Sequence, residues 1–217
     1  MPTDSILLFV DVDGRIKMPS SKKKPIIPVK LTFEDFPEFQ PNLSPKQILQ
    51  LGSFGGTYFR PIYSSVTKQS YGDEVWLELP QDWLEGLDIG TEVASSEYDK
   101  EVNRYRVKSG ASLEMWESKG WIVAEDPYGW FQWYCRFYQG RRTEDDERQV
   151  GRWVGVAGQH SGRWRNFLIG KIQKSGKDFD DETVSPVTRQ TLQHWAYCLT
   201  EEDYRQRITE LENRKKN

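Results

Sequence analysis

Tyr128-Gly129-Trp130-Phe131-Gln132-Trp133-Tyr134-Cys135-Arg136-Phe137-Tyr138 decides the fold, because seven of its eleven positions are aromatic. On a helix, Trp130, Trp133, Tyr134 and Phe137 fall on one face, with Phe131 and Tyr138 on a flank. A helix apolar nearly all round is buried on most sides, so this one is expected at the centre of the core. Downstream, Thr143 is read as the cap of a second helix with Glu144, Asp145, Asp146 and Glu147 in its first turn, ending at Gly155 or Gly158. The turn Gly158-Gln159-His160-Ser161-Gly162 leads to a third helix carrying Arg163, Trp164, Phe167, Leu168 and Ile169. A polar loop covers 175–184. Ser185-Pro186 opens a fourth helix through Leu192, Trp195 and Leu199, and Thr200-Glu201-Glu202 caps a last one.

Upstream the signals are shorter. Ser44-Pro45 with Gln47 is a capping box, and the helix it starts stops at Gly52. Gly55-Gly56 before an aromatic run reads as a tight turn into a strand. Residues 75–79 and 102–107 read as short strands, Pro80 to Leu84 as a helical turn, and Ser112 to Lys119 as a short helix ended by Gly120. Before residue 41, Pro2, Pro19, Pro25, Pro28 and Pro37 break every candidate element, leaving only Ile6 to Val10 and Ile26 to Leu31 as possible strands. The expected fold is α+β. A flexible arm spans 1–40 and a single domain 41–217, antiparallel and β-rich over about 53–125. A C-terminal helical bundle with an aromatic core follows over about 128–212.

The chain has 217 residues, nine of them Trp, and a formal net charge of −3. That aromatic content is incompatible with wholesale disorder. No apolar run is long enough for a transmembrane helix, and Ile6 to Val10 is too short for a signal peptide. The expectation is a soluble intracellular protein, with cytoplasm and nucleus indistinguishable. Cys135 and Cys198 form neither a disulfide framework nor a zinc site. The net charge conceals a contrast: residues 85–126 carry −5 and residues 127–174 carry +5. Such a basic island can face an anionic partner or pair internally.

Few residues point to chemistry. Asp11-Val12-Asp13-Gly14 resembles the first motif of haloacid dehalogenase-type phosphatases, but Arg15 stands where Thr is usual and no βαβ helix follows. A tight turn is the plainer reading. Asp178, Asp180, Asp181 and Glu182 lack EF-hand spacing and read as a solvated loop. No metal or cofactor is expected. His194, inside a helix beside Trp195, reads as structural. His160, on its Gly-flanked turn, is the candidate general base.

The strongest constellation interleaves aromatics with arginines. Arg141, Arg142, Arg152, Arg163 and Arg165, with Trp153 and Trp164, are the candidate anion- or nucleic-acid-binding residues. Guanidinium forks match phosphate, and aromatic faces stack bases. The alternative is that the same rings and guanidinia stack inside the core. Arg163 and Arg165 lie about 200° apart on a helix, so one faces out to a partner while the other pairs internally, and Arg163 is the expected contact. Gly158 and Gly162 are expected to let backbone donors approach the anion.

The strings Gly55-Gly56-Thr57-Tyr58-Phe59-Arg60-Pro61-Ile62 and Asp126-Pro127-Tyr128-Gly129-Trp130-Phe131-Gln132-Trp133-Tyr134-Cys135-Arg136-Phe137-Tyr138 resemble an uncharacterised family, over about Pro41 to Leu199. That resemblance implies no activity, cofactor or catalytic residue. The leading functional reading is therefore a binding protein for an anionic partner, nucleic acid first. An enzyme on a nucleotide or nucleic acid, using His160 and nearby arginines, is the alternative, and a peptide- or protein-interaction module is a third.

Overall fold

The computed structural model describes the backbone of Phe9–Val10 and Ile16–Lys17, which pair antiparallel as β1 and β2, and residues 25–216. The Asp11 to Gly14 motif lies outside the described residues. Helix α1 spans Pro45–Gln50, and its start is written in side-chain chemistry: Ser44 Oγ accepts from the Gln47 N–H while Gln47 Oε1 accepts from the Ser44 N–H. Strands β3 (Ile62–Ser64) and β4 (Gln69–Tyr71) form an antiparallel hairpin with Tyr63 opposite Ser70. Helices α2 (Leu113–Ser118), α3 (Trp130–Tyr138), α4 (Asp146–Ala157), α5 (Arg163–Ser175), α6 (Pro186–His194) and α7 (Glu201–Lys216) follow.

Helices dominate, and the expected β-rich block over 53–125 is corrected to a single hairpin among otherwise helical turns and loops. Residues 75–79 lie mostly in a 3₁₀ helix, Asp73–Glu78, because Glu78 is drawn back to Arg136 and Gln132 of α3. Residues 102–107 are irregular: Asn103 turns inward to accept the Gly55 N–H and to donate to the Val107 carbonyl. Ile26 to Leu31 forms no strand, and the Val29 N–H donates instead to the Asn42 carbonyl at 2.9 Å. Thr143 does not cap α4 directly. Its N–H and hydroxyl instead donate to Asp146 at 3.0 Å each, and the helix begins there.

The core is built on α3. Trp133, Tyr134 and Cys135 are wholly buried, and Gly129 precedes them at φ +89°. Phe39 lies at the hub of this cluster, with ring centroids 5.2 Å from Trp153, 5.5 Å from Phe137 and 5.6 Å from Trp133. Edge and tilted ring contacts of this kind add about 0.5–1.5 kcal/mol each beyond area burial. Phe33 and Phe36, in the stretch read as an arm, also pack on Phe137. The two distinctive strings interlock here. Tyr58 donates its hydroxyl hydrogen to the Tyr128 carbonyl and accepts the Gln132 N–H, while Tyr128 donates to the Arg60 carbonyl. Among the described residues, no helix is long and apolar enough to cross a membrane.

Candidate functional site

The arginines singled out in the sequence do not share one surface. Arg141 Nη2 lies 2.5 Å from Asp126, a wholly buried carboxylate that also takes Arg136 Nη1 at 2.9 Å. Removing that acid would take from Arg141 the one carboxylate it pairs with among the described residues, while Arg136 keeps Glu78, so this cluster is structural. Arg142 is paired with Asp35 and lies 3.8 Å over the Phe137 ring. Arg152 packs over Trp121 and Trp195 at 5.5 and 5.3 Å and donates to Gln149. Burial first, and Arg148 next, lower its pKa to about 10. Trp153 is a core residue whose indole N–H donates to the Trp195 carbonyl at 2.8 Å. Arg165 is buried and bound to Asp203 at 2.8 Å.

Arg163 and Trp164 differ from these. Arg163 is exposed, Trp164 is half-buried, and among the described residues no carboxylate pairs with Arg163. Its guanidinium lies 5.5 Å from the Trp164 ring centroid. One turn on, Phe167 is 45% exposed, and Lys171 Nζ lies 5.3 Å from its centroid. Trp164 and Phe167 meet edge to face at 6.0 Å. The outer face of α5 is thus a row in which two cations flank a pair of rings: Arg163, Trp164, Phe167 and Lys171. Cations within about 6 Å of a ring centroid are attracted to its face. The split between an outward Arg163 and an inward Arg165 is the one expected from helical spacing. Phe167 and Lys171 were not nominated from sequence, although i, i+4, i+8 spacing from Arg163 is the signal that finds them.

The glycines around this helix start work differently from the expectation. The Gly158 N–H is bonded to the Val154 carbonyl and the Gly162 N–H to the Gly158 carbonyl, so neither donor is available to an anion. A Cβ at Gly162 would lie 2.4 Å from the Gly158 carbonyl oxygen. Gly162 is required because the turn doubles back on itself.

His160 is exposed on that turn, with Nδ1 3.9 Å from Glu210, whose other oxygen takes Arg207 at 2.9 Å. Histidine, acid and arginine do converge, but the His160 ring is 71% exposed and lines neither of two cavities, of about 450 and 710 Å³. His194 is buried instead. Its Nε2 accepts the Phe54 N–H at 2.9 Å, and the ring stacks on Phe54 at 4.0 Å. Desolvation holds its pKa down at about 3, so the imidazole is neutral with its proton on Nδ1. Cys135 is buried, and burial pushes its thiol well up, leaving it without nucleophilic character.

In the loop 176–185, Asp181 accepts from the Thr183 N–H at 2.8 Å and pairs with Lys177 at 3.2 Å. The bonds from Thr183 chiefly lower its carboxyl to a pKa of about 2. Among the described residues, no three His, Cys, Asp or Glu side chains gather where they could hold a metal ion. Family models, curated proteins and solved structures give no match to this chain. This agrees with the resemblance of the Gly55 and Asp126 strings to an uncharacterised family without an assigned activity.

Proposed function

We propose that this protein is a binding module for an anionic partner, single-stranded nucleic acid in the first instance, held against the outer face of α5. The observation that carries the reading is the exposed cation–ring row of Arg163, Trp164, Phe167 and Lys171. The opposite side of the helix supplies its folding energy through buried Leu168, Ile169 and Ile172. Phe167, nearly half exposed, therefore has little to do for the fold. Rings that keep a face accessible offer stacking of about 1–3 kcal/mol per base, and Arg163 and Lys171, about two turns apart, can meet phosphates of one strand. Arg163 and Lys171 would together give a log–log salt slope of about −1.4 for a single strand. A partner recognised by its rings alone, such as an apolar peptide, would show almost no slope.

The experiment is fluorescence anisotropy of a labelled single-stranded oligonucleotide over a salt series. Arg163→Ala is expected to weaken binding several-fold and to reduce the slope by about 0.7, one phosphate contact. Its melting temperature should stay within a degree of the parent, because Arg163 is exposed and has no ion pair among the described residues. An unchanged slope with binding intact would remove α5 as the contact face.

A further inference from the structure

Behind the inward face of α5 lies a cavity of about 450 Å³, a size typical of small-molecule sites. Its walls include Leu168 of α5, Leu192 of α6, Leu199 and Phe179, which are apolar, together with Tyr105 and Arg189. Arg189 is 7% exposed. Its Nε donates to the Val184 carbonyl at 3.0 Å and its Nη2 to the Phe179 carbonyl at 2.7 Å, which fix the guanidinium plane. Neither bond uses Nη1, and among the described residues no carboxylate lies within ion-pairing distance of Arg189. Asp180, Asp181 and Glu182 act on this guanidinium only from beyond ion-pairing distance, and burial outweighs them, so a ligand anion in direct contact with it is favoured.

Two of the acids at the cavity are held by arginines, and the third faces solvent. Glu182 is bound to Arg104 at 2.8 Å and Glu201 to Arg205 at 2.5 Å, while Asp180 is exposed. We propose that this cavity binds a small organic carboxylate, its anion on Arg189 and its hydrocarbon body against Leu168, Leu192, Leu199 and Phe179. A single buried guanidinium matches a single negative charge. A phosphate dianion, with twice the charge, would be repelled more strongly by the carboxylates of Asp180 and Glu182 on the same wall. Cys198 also lines the cavity, but burial first, and Asp203 next, push its thiol up to about 12, so the site holds its ligand without attacking it. The site is independent of the outer face of α5.

Octanoate is the probe, with octanol as its neutral twin, both titrated into the full chain by calorimetry and followed by methyl NMR. Octanoate should bind saturably at one site, at least tenfold tighter than octanol, with shifts concentrated at the methyls of Leu168, Leu192 and Leu199. Arg189→Gln should abolish the preference for octanoate over octanol, and Leu199→Trp, which fills the cavity, should abolish binding of both. Equal affinity for the two ligands, shifts elsewhere, or no saturable binding would each overturn the proposal. These readouts on the unaltered chain decide the matter even where a variant fails to fold.

Discussion

At the scale of single residues, His194 carries the clearest consequence. Its Nε2 must stay unprotonated to accept the Phe54 N–H, and burial holds its folded pKa near 3. The unfolded chain titrates this ring near the ordinary value of 6.5. Between those limits the unfolded state binds the extra proton, so stability is complete above about pH 6.5 and is lost as pH falls toward 3. The slope is roughly 1.4 kcal/mol per pH unit for this one group. Urea melts at pH 7, 6, 5 and 4 should show it, and His194→Gln, whose amide oxygen can accept the same N–H, should flatten that part of the profile. An equal acid slope in both proteins would assign the loss to carboxylates instead. The structural reading of His194 was legible from its place beside Trp195. That it is wholly desolvated was not, because its cover, Phe54, lies 140 positions away.

At the scale of elements, the turn 52–56 shows why backbone and packing must be read together. Gly56 sits at φ +76°, and a Cβ there would lie 2.0 Å from the Thr91 carbonyl oxygen. Its own carbonyl accepts the Ser95 N–H, so the turn docks the whole 91–104 loop. Gly86 has a similar φ, +78°, but nothing within 4 Å of its Cβ position. Gly86→Ala should therefore cost only the left-handed strain, about 1 kcal/mol, whereas Gly56→Ala should cost about 3 kcal/mol or more, measured as the difference in chemical-denaturation midpoints. Equal losses would show that the loop can move away. The elements that sequence disclosed were those fixed by local chemistry, such as the capping box at Ser44 and the aromatic helix α3. Val75 to Leu79 misled because its shape is set from outside, by Arg136 and Gln132 pulling on Glu78.

At the scale of the whole molecule, the basic island is largely neutralised, and by acids scattered along the chain rather than by the acidic block alone. Arg142 reaches Asp35 and Arg136 reaches Glu78, while Asp126 serves both Arg136 and Arg141. The sequence could show the excess of charge but not its partners, because the pairs join residues as far as 107 positions apart. Of these ties, Arg165–Asp203 bears most directly on assembly, because it joins the buried side of α5 to the first turn of α7. Asp203 also accepts the Tyr197 hydroxyl hydrogen at 2.6 Å, and the Arg165 guanidinium lies 5.2 Å over that same ring. Asp203→Asn keeps the shape but leaves the guanidinium buried without its counter-charge. Full burial of such a broken pair costs about 3–5 kcal/mol, and the partial exposure of Asp203, 24%, reduces the expectation to roughly 2–3 kcal/mol. Arg165→Met alone should cost less, since it removes the charge and keeps an apolar stem, and the double variant should recover part of the Asp203→Asn loss. A double-mutant cycle of denaturation free energies measures this coupling. Additive losses would mean that the Arg165–Asp203 pair does not tie α7 to α5, and that Arg165, like Arg163, faces water in solution.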